Sequence, residues 1–478
     1  MKKNRLFTFM SVLMLTGILS STLYSEVKLP SVFGDNMVLQ RETQVAIWGW
    51  ADAGSKISVT PSWDSKNYTV KTDPSGKWKL KIATPQAGGP YELSISDGKS
   101  VILKNILIGE VWLCSGQSNM EMPVKGYTDQ PVSGSNDIIL KSMNKNIRFI
   151  SVPRSGKTEP LEDFTGSWKE AAPETVAEFS ATAYHFGKLL NKILNMPVGL
   201  IDVTYGGSCI QAWMSKNTSR PHKQWKIPEK GDTIDVPNRT PTALFNGMLY
   251  PVIGYGIRGC IWYQGEENQK KPSEYEELFI TMVNEWRSLW EAGEFPFYYA
   301  QIAPYAYSKT ETSDFDVELN SAYFREAQLK LMDKVSNCGM AVLMDTGEKN
   351  CIHPANKEAA GKRLAYWALA KTYGIKGFEY VSPVVDSLQI RGDTAILTFK
   401  NAPNGLTSFG RELSCFEMAG PDKKFHPAKA FIWEKSVYVI CPETKNPVAV
   451  RYAFKDFVKG DLFSIGGLPV SSFRTDNW

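Results

Sequence analysis

The sequence predicts an α/β protein: a parallel sheet with helices on both faces, preceded and followed by β regions. Three observations predict it. Between residues 106 and 378, short apolar runs ending in small or polar turns alternate with segments of helical spacing, and that alternation builds a parallel sheet. Residues 27–105 and the chain from about 380 onward instead carry short runs of period-2 alternation between turn signals, the pattern of small β modules. A length of 478 residues suits two or three domains.

Taken in order, the chain opens on Lys2, Lys3 and Arg5, runs apolar over 6–19, and reaches Glu26 through Ser20, Ser21, Thr22 and Ser25. A basic, then apolar, then small polar order reads as a secretory signal over 1–25; the competing reading is a retained membrane anchor. No later stretch is apolar enough to span a bilayer. The expected location is therefore secreted or periplasmic, without stable membrane insertion once the signal is cleaved. No Cys precedes Cys114, so a lipid-modified mature N-terminus is not expected.

Residues 26–105 are predicted to form an N-terminal β-sandwich domain. Runs at 45–50 and 56–60 alternate, and Asp73-Pro74-Ser75-Gly76 is a turn leading into clean alternation over 77–82. Within 106–378, strands are predicted at 106–114, 197–203, 256–263, 295–302 and 340–344. Helices are predicted at 181–194, 272–290, 322–334 and 355–373. The first of these places Tyr184, Leu189, Leu190 and Ile193 on its apolar side. A C-terminal β region follows over 379–478, with strands at 393–399, 428–433 and 437–441.

Composition excludes several function classes. Hydrophobic residues at 43% and charged residues at 22% describe a folded globular chain. Without the three basic residues of the signal, the formal charge of +4 falls close to neutrality, which leaves no electrostatic footprint for nucleic acid. The seven Cys are scattered, odd in number and without a CxxC pair. That argues against a zinc site or a disulfide framework. Most are expected to be buried small hydrophobes, with one bridge left open.

The chemistry concentrates in turns that follow strands. Ser118, in Gly116-Gln117-Ser118-Asn119-Met120, stands at a strand-to-helix turn, where a hydroxyl is exposed and backbone N–H groups can meet a developing oxyanion. A serine hydroxyl needs a base, and the chain has only four His. His185 lies inside a predicted helix, His222 in a Pro-flanked loop and His426 in the C-terminal β region. His353 lies between the last predicted strand of the sheet and the helix at 355–373, on the same sheet edge as Ser118. Thr204-Tyr205-Gly206-Gly207-Ser208 and Gln264-Gly265-Glu266-Glu267-Asn268 follow two further strands. Four such loops bring Ser, Gly-Gly, Gln or Asn, and His to one edge, a set suited to acyl transfer.

Longer motifs then come into view: Gly34-Asp35-Asn36-Met37-Val38-Leu39-Gln40, Trp48-Gly49-Trp50-Ala51, Gly109 through Met122, Ile261-Trp262-Tyr263-Gln264-Gly265-Glu266, Arg325-Glu326-Ala327-Gln328, Ile352-His353-Pro354 with Lys357, and Gly467-Leu468-Pro469 with Phe473-Arg474-Thr475. In this order, and nearly end to end, the chain resembles the sialate O-acetylesterase family of SGNH-type serine esterases. The resemblance implies a three-layer, flavodoxin-like esterase domain with accessory β-sandwich domains. It implies Ser118 as nucleophile and His353 as base. It also implies an oxyanion hole from the Ser118 and Gly207 N–H groups and a side-chain amide, Gln264 first and Asn268 second. Gln117, Asn119, Glu266 and Arg325 are the substrate-binding candidates; for Arg325, a partner for a sialate carboxylate and a helix-surface salt bridge are the two readings. No metal or organic cofactor is implied.

Three departures from the family stand out. Asn350 occupies the position, three before the His, where many SGNH enzymes have an orienting Asp; Asp345 and a simple Ser–His dyad are the two ways to complete the base. Glu267 stands where relatives often have Ser and puts a carboxylate near the site. The segment between Trp213 and Phe245 is short for the family. The reading that results is a secreted carbohydrate O-acetylesterase acting on an O-acetylated glycan or sialic acid through a Ser118 acetyl-enzyme, with 9-O-acetyl sialate as the family-implied substrate. Deacetylation of xylan or another plant polysaccharide, and a non-catalytic glycan-binding protein on the same scaffold, are the alternatives.

Overall fold

The computed structural model describes residues 26–307 and 320–478; the signal predicted over 1–25 lies outside the described residues. The central sheet has six parallel strands: β1 (Ser100–Gly116), β2 (Asn144–Ser151), β3 (Val198–Thr204), β4 (Gly259–Tyr263), β5 (Phe297–Ala300) and β6 (Cys338–Ala341). Their spatial order is β6-β5-β4-β1-β3-β2, with Lys169–Ala171 added antiparallel beyond β2. From β1 the chain goes to the outer strand β2, returns to place β3 beside β1, then crosses β1 to build β4, β5 and β6 outward on the other side. That reversal opens a crevice at the C-terminal ends of β1, β3 and β4.

Side chains alternate across these strands. Val111 and Leu113 share one core with Ile201, Val203, Cys260 and Trp262; Trp112 and Cys114 share the other with Leu200, Ile261 and Tyr263. Helices α3 (Pro272–Trp290) and α4 (Ala322–Lys334) contribute Met282, Trp286, Phe324 and Leu331 to the first core. Helices α2 (Ala181–Leu194) and α5 (Lys357–Trp367) contribute Phe186, Leu190, Leu364 and Ala365 to the second. Fully buried strands with helices on both faces explain why the strand sequences are continuously apolar rather than alternating.

Three elements differ from the sequence-based expectation. Strand β2 was not predicted, because Asn144-Lys145-Asn146 and Arg148 interrupt its apolar run. Arg148 is buried, and its guanidinium donates to the Asn36 and Asn105 carbonyls and pairs with Glu170, so tertiary partners satisfy the charge that hides the strand. Helix α2 has the predicted ends, set by the Ser180 hydroxyl accepting from the Ala183 N–H and by Asn195 in the left-handed region. Its packed face, however, is Ala183, Tyr184, Phe186, Gly187 and Leu190, while Leu189 is half-buried and Ile193 exposed. The cause is α5, whose Gly361 lies so close that a Cβ there would sit 2.5 Å from the Thr182 carbonyl oxygen. The helix predicted over 355–373 starts at Lys357, where Asn356 caps it, and ends in a π turn, Ala368–Thr372.

The boundary drawn at 105/106 falls inside a single strand. The first half of β1 pairs with Gly88–Ser96 in an accessory sheet, and the second half enters the central sheet. A second small sheet, Gln44–Trp50 with Lys77–Ala83, packs beside the first. At the junction the fully buried Glu110 carboxylate meets Arg41 at 2.5 Å, Arg258 at 2.8 Å and the Tyr373 hydroxyl at 3.0 Å. The C-terminal region forms two four-stranded antiparallel sheets and a two-stranded one, Leu406–Thr407 with Phe463–Ser464, whose strands pair with none of the N-terminal ones among the described residues. All seven Cys are free; Cys114, Cys260 and Cys441 are buried and the other four half-buried. No helix of the described residues is long and apolar enough to cross a membrane.

Candidate active site

Strand register brings the site together. Gly116 is the cross-strand partner of both Thr204 at the end of β3 and Tyr263 at the end of β4. The three following loops therefore start at one level. Gly116 has φ +140°, and a Cβ there would lie 2.2 Å from the Tyr263 carbonyl oxygen, so only glycine lets β1 turn this tightly against β4. Helix α1 (Ser118–Glu121) starts immediately after it.

Ser118 is half-buried, and its Oγ lies 2.7 Å from His353 Nε2. The other ring nitrogen, Nδ1, meets Gln130 Oε1. A carbonyl oxygen on Nδ1 holds the proton there and leaves the Nε2 lone pair for the serine hydroxyl. Burial, and secondly the Lys357 ammonium, lowers the His353 pKa to about 4. The imidazole is thus neutral, as a base must be. Tyr127 closes the far side with its ring edge-on to the imidazole at 5.6 Å. Reciprocal backbone bonds between Tyr127 and Gln130, at 3.0 and 3.1 Å, fix the turn that carries both side chains.

Asp345 is not the orienting group. Both of its carboxylate oxygens are taken by Arg363, at 2.6 and 2.7 Å, because α5 runs back beneath the end of β6 and presents Arg363 there. Asn350 is exposed. Gln130 had no signal in the sequence: it lies in an ordinary polar loop, 223 positions from the histidine it touches.

The N–H groups on the nucleophile side are open. Among the described residues neither the Ser118 nor the Gly207 backbone N–H has an acceptor. The Gly206 N–H donates instead to Glu121 Oε2 at 2.9 Å, which ties this loop to α1. A Cβ on Gly206 would lie 3.5 Å from the Ser118 Cβ, so the loop runs alongside the hydroxyl. Arg154 grips Glu121 at 2.6 and 2.5 Å and covers the Tyr205 ring. Of the two amides, Gln264 is excluded as a donor. Its Nε2 hydrogens go to the Ser208 carbonyl at 2.9 Å and to Asn268 Oδ1 at 2.8 Å. Asn268 is the amide with a hydrogen to give: Oδ1 accepts from Gln264 and from the Ile210 N–H, and Nδ2 gives one hydrogen to Gln211 Oε1 at 3.0 Å, leaving its second.

The four substrate-binding candidates turn inward and bond to neighbouring loops. Gln117 Oε1 accepts from the Gly265 N–H at 3.2 Å and the Glu267 N–H at 3.4 Å, bracing the β4 loop. Asn119 donates to Glu266 Oε1 at 2.5 Å and to the Ile352 carbonyl at 3.1 Å, and accepts from Lys357 Nζ. It clips the histidine loop to α1. Burial raises the Glu266 pKa and lowers that of Lys357 to about 7. Arg325 is fully buried and donates to the Ser321 and Ser472 hydroxyls and the Lys455 and Asp456 carbonyls. It fits neither of its two readings, because the C-terminal region covers that face of α4. Glu267 is paired with Arg239 at 2.8 Å, so its charge is compensated. Among the described residues no group of three or more His, Cys, Asp or Glu could hold a metal ion.

The arrangement is a hydroxyl with a neutral imidazole on it, beside open N–H donors. It can pass a serine proton to nitrogen and stabilise negative charge on an attacked carbonyl oxygen. Residues 108–369 match the model of a family described as carbohydrate esterase, sialic acid-specific acetylesterase. Among similar proteins, the sialate O-acetylesterase of Homo sapiens is 27% identical over 401 residues, covering 77% of this chain and 75% of that protein. That of Mus musculus is 26% identical over 426 residues, covering 77% of each. The crystal structure of a carbohydrate acetylesterase from Xanthomonas citri superposes with a TM-score of 0.85 at 34% identity, covering 95% of this chain and all of that one.

Proposed function

Because the chain belongs to the sialic acid-specific acetylesterase family of carbohydrate esterases, we propose that it removes O-acetyl groups from sugars through a covalent acetyl-enzyme on Ser118. The enzyme is a carbohydrate acetylesterase, a carboxylic ester hydrolase. The observation that carries the residue assignment is the 2.7 Å contact from Ser118 Oγ to a His353 whose other nitrogen is engaged by Gln130.

In the first half-reaction the Ser118 proton passes to His353 Nε2 as Oγ bonds to the acetyl carbon. The carbonyl oxygen becomes an oxyanion facing the Ser118 and Gly207 N–H groups and the Asn268 amide. Collapse breaks the bond to the sugar oxygen, which leaves with the proton from His353. Water, deprotonated by the same nitrogen, then releases acetate and restores Ser118. Ser, Gly, Asn and His on four neighbouring loops are the residue types of an SGNH hydrolase, which supports that finer reading of the fold.

The substrate we propose is 9-O-acetylated sialic acid, supported by the relatives named sialate O-acetylesterases. One observation favours a second reading, an acetylated plant polysaccharide such as xylan: the only cation put forward from the sequence for a sialate carboxylate, Arg325, is buried. Purified enzyme and Ser118→Ala are compared on an aryl acetate, then acetate release is measured from O-acetylated sialic acid and from acetylated xylan. Ser118→Ala is expected to lose on the order of 10³-fold or more in kcat; equal turnover overturns the nucleophile assignment. Secretion is part of the proposal, and a mature N-terminus near Glu26 in the processed protein is its check.

A further inference from the structure

The short segment between Trp213 and Phe245 and the loop after β4 border an open cavity of about 550 Å³, a volume typical of small-ligand sites. Trp225, Gln224, Gln211, Asn268, Arg239 and Glu267 line it. Trp225 is half-buried, His222 stacks on one face of its indole at 4.0 Å and 14°, and the indole lines the cavity. The polar lining is made of two side-chain amides, from Gln224 and Gln211, and two ion pairs, Arg239–Glu267 at 2.8 Å and Lys271–Glu274 at 3.1 Å, with Lys270 beside them. Both carboxylates of the lining are thus paired with cations, and a neutral, hydroxyl-rich ligand can bond to amide, cation and carboxylate alike. Asn268 is common to both places. It lines the cavity, and its remaining amide hydrogen is the one assigned to the oxyanion.

A pyranose matches this chemistry. Its C–H face packs on an indole, and its paired hydroxyls fit planar amide, guanidinium and carboxylate groups. We propose that this cavity binds a second, uncharged pyranose of the substrate, next to the sugar that carries the acetyl group, so that the enzyme prefers glycan-linked over free acetylated sugars. The proposal rests on the Ser118 acetylesterase reading.

The test measures dissociation constants by calorimetry in the Ser118→Ala background, where substrate is not consumed. The probes are 9-O-acetylated sialyllactose against 9-O-acetyl-N-acetylneuraminic acid, and acetylated xylotriose against acetylated xylose. In one of these pairs the oligosaccharide is expected to bind at least tenfold tighter. Adding Trp225→Ala removes that advantage, and Trp225→Tyr retains it. Arg239→Ala, at an exposed rim position, weakens oligosaccharide binding at least threefold and carries the test if Trp225→Ala does not fold. Equal affinity within both pairs, or an advantage that survives both Trp225→Ala and Arg239→Ala, overturns the proposal. Failure of the esterase reading shows separately, as wild-type turnover by Ser118→Ala on an aryl acetate.

Discussion

At the scale of single residues, the site depends on which groups touch His353. The imidazole is oriented by a neutral amide oxygen rather than a carboxylate, so nothing beside Nδ1 lifts its affinity for protons. Burial and the Lys357 ammonium lower its pKa to about 4. The base works only when neutral, and it is neutral above that value. The acid limb of kcat/KM is therefore expected near pH 4, with no loss on this account as pH rises from 5 to 7. Gln130→Glu places an anion on Nδ1, stabilises the imidazolium and moves that limb to higher pH; an unmoved pH profile counts against the Gln130 contact. Gln130→Ala is expected to lower kcat by about 10- to 100-fold, or ~1.4 to 2.7 kcal/mol. Asp345→Asn breaks an ion pair with Arg363 and should lower kcat by less than about tenfold. Steady-state kinetics of the two variants side by side separates the orienting group from the structural one.

At the scale of elements, β1 delivers the nucleophile, and it does so through a close backbone contact. Gly116→Ala puts a methyl group 2.2 Å from the Tyr263 carbonyl oxygen, so either β1 or β4 must shift. Overpacking of this kind costs about 1–3 kcal/mol, and a displacement of about 1 Å at Ser118 costs about 100-fold in rate. Both effects are expected, read as a lower melting temperature and a lower kcat on an aryl acetate. The same scale shows why some elements were legible and one was not. Helices α2, α3 and α4 have their predicted ends because caps, Pro272 and apolar spacing are local signals. Strand β2 escaped because its apolar period is broken by Arg148, whose partners come from residues 36, 105 and 170.

Across the whole molecule, accessory and central sheets are joined by a continuous strand and by one buried carboxylate. Glu110 holds Arg41 from the N-terminal region, Arg258 from the entry to β4 and Tyr373 from just beyond the π turn that follows α5. Glu110→Ala leaves these partners in place around a missing anion. Removing one partner of a buried ion pair costs about 3–5 kcal/mol, and a denaturant midpoint lowered in proportion is the expected result. Because β1 runs through both sheets, the two should unfold together; separate transitions would contradict that coupling. Arg325 plays the matching part at the other end, tying α4 to the C-terminal sheets.

The sequence by itself determined the class of fold and the loops that carry the chemistry, and it left His353 as the best placed of four histidines, with its pairing to Ser118 implied by the family resemblance. Those features rest on local properties: apolar period, strand ends, glycine turns and the scarcity of histidine. Only the tertiary structure decided what each polar side chain faces. It put Gln130 rather than Asp345 on the imidazole, gave the open amide hydrogen to Asn268 rather than Gln264, and turned Gln117, Asn119, Glu266 and Arg325 into internal braces. A polar residue beside a site has the same composition whether it points at substrate or at a neighbouring loop. The choice is made by hydrogen-bond partners that lie as many as 238 positions away along the chain, and no local pattern encodes them.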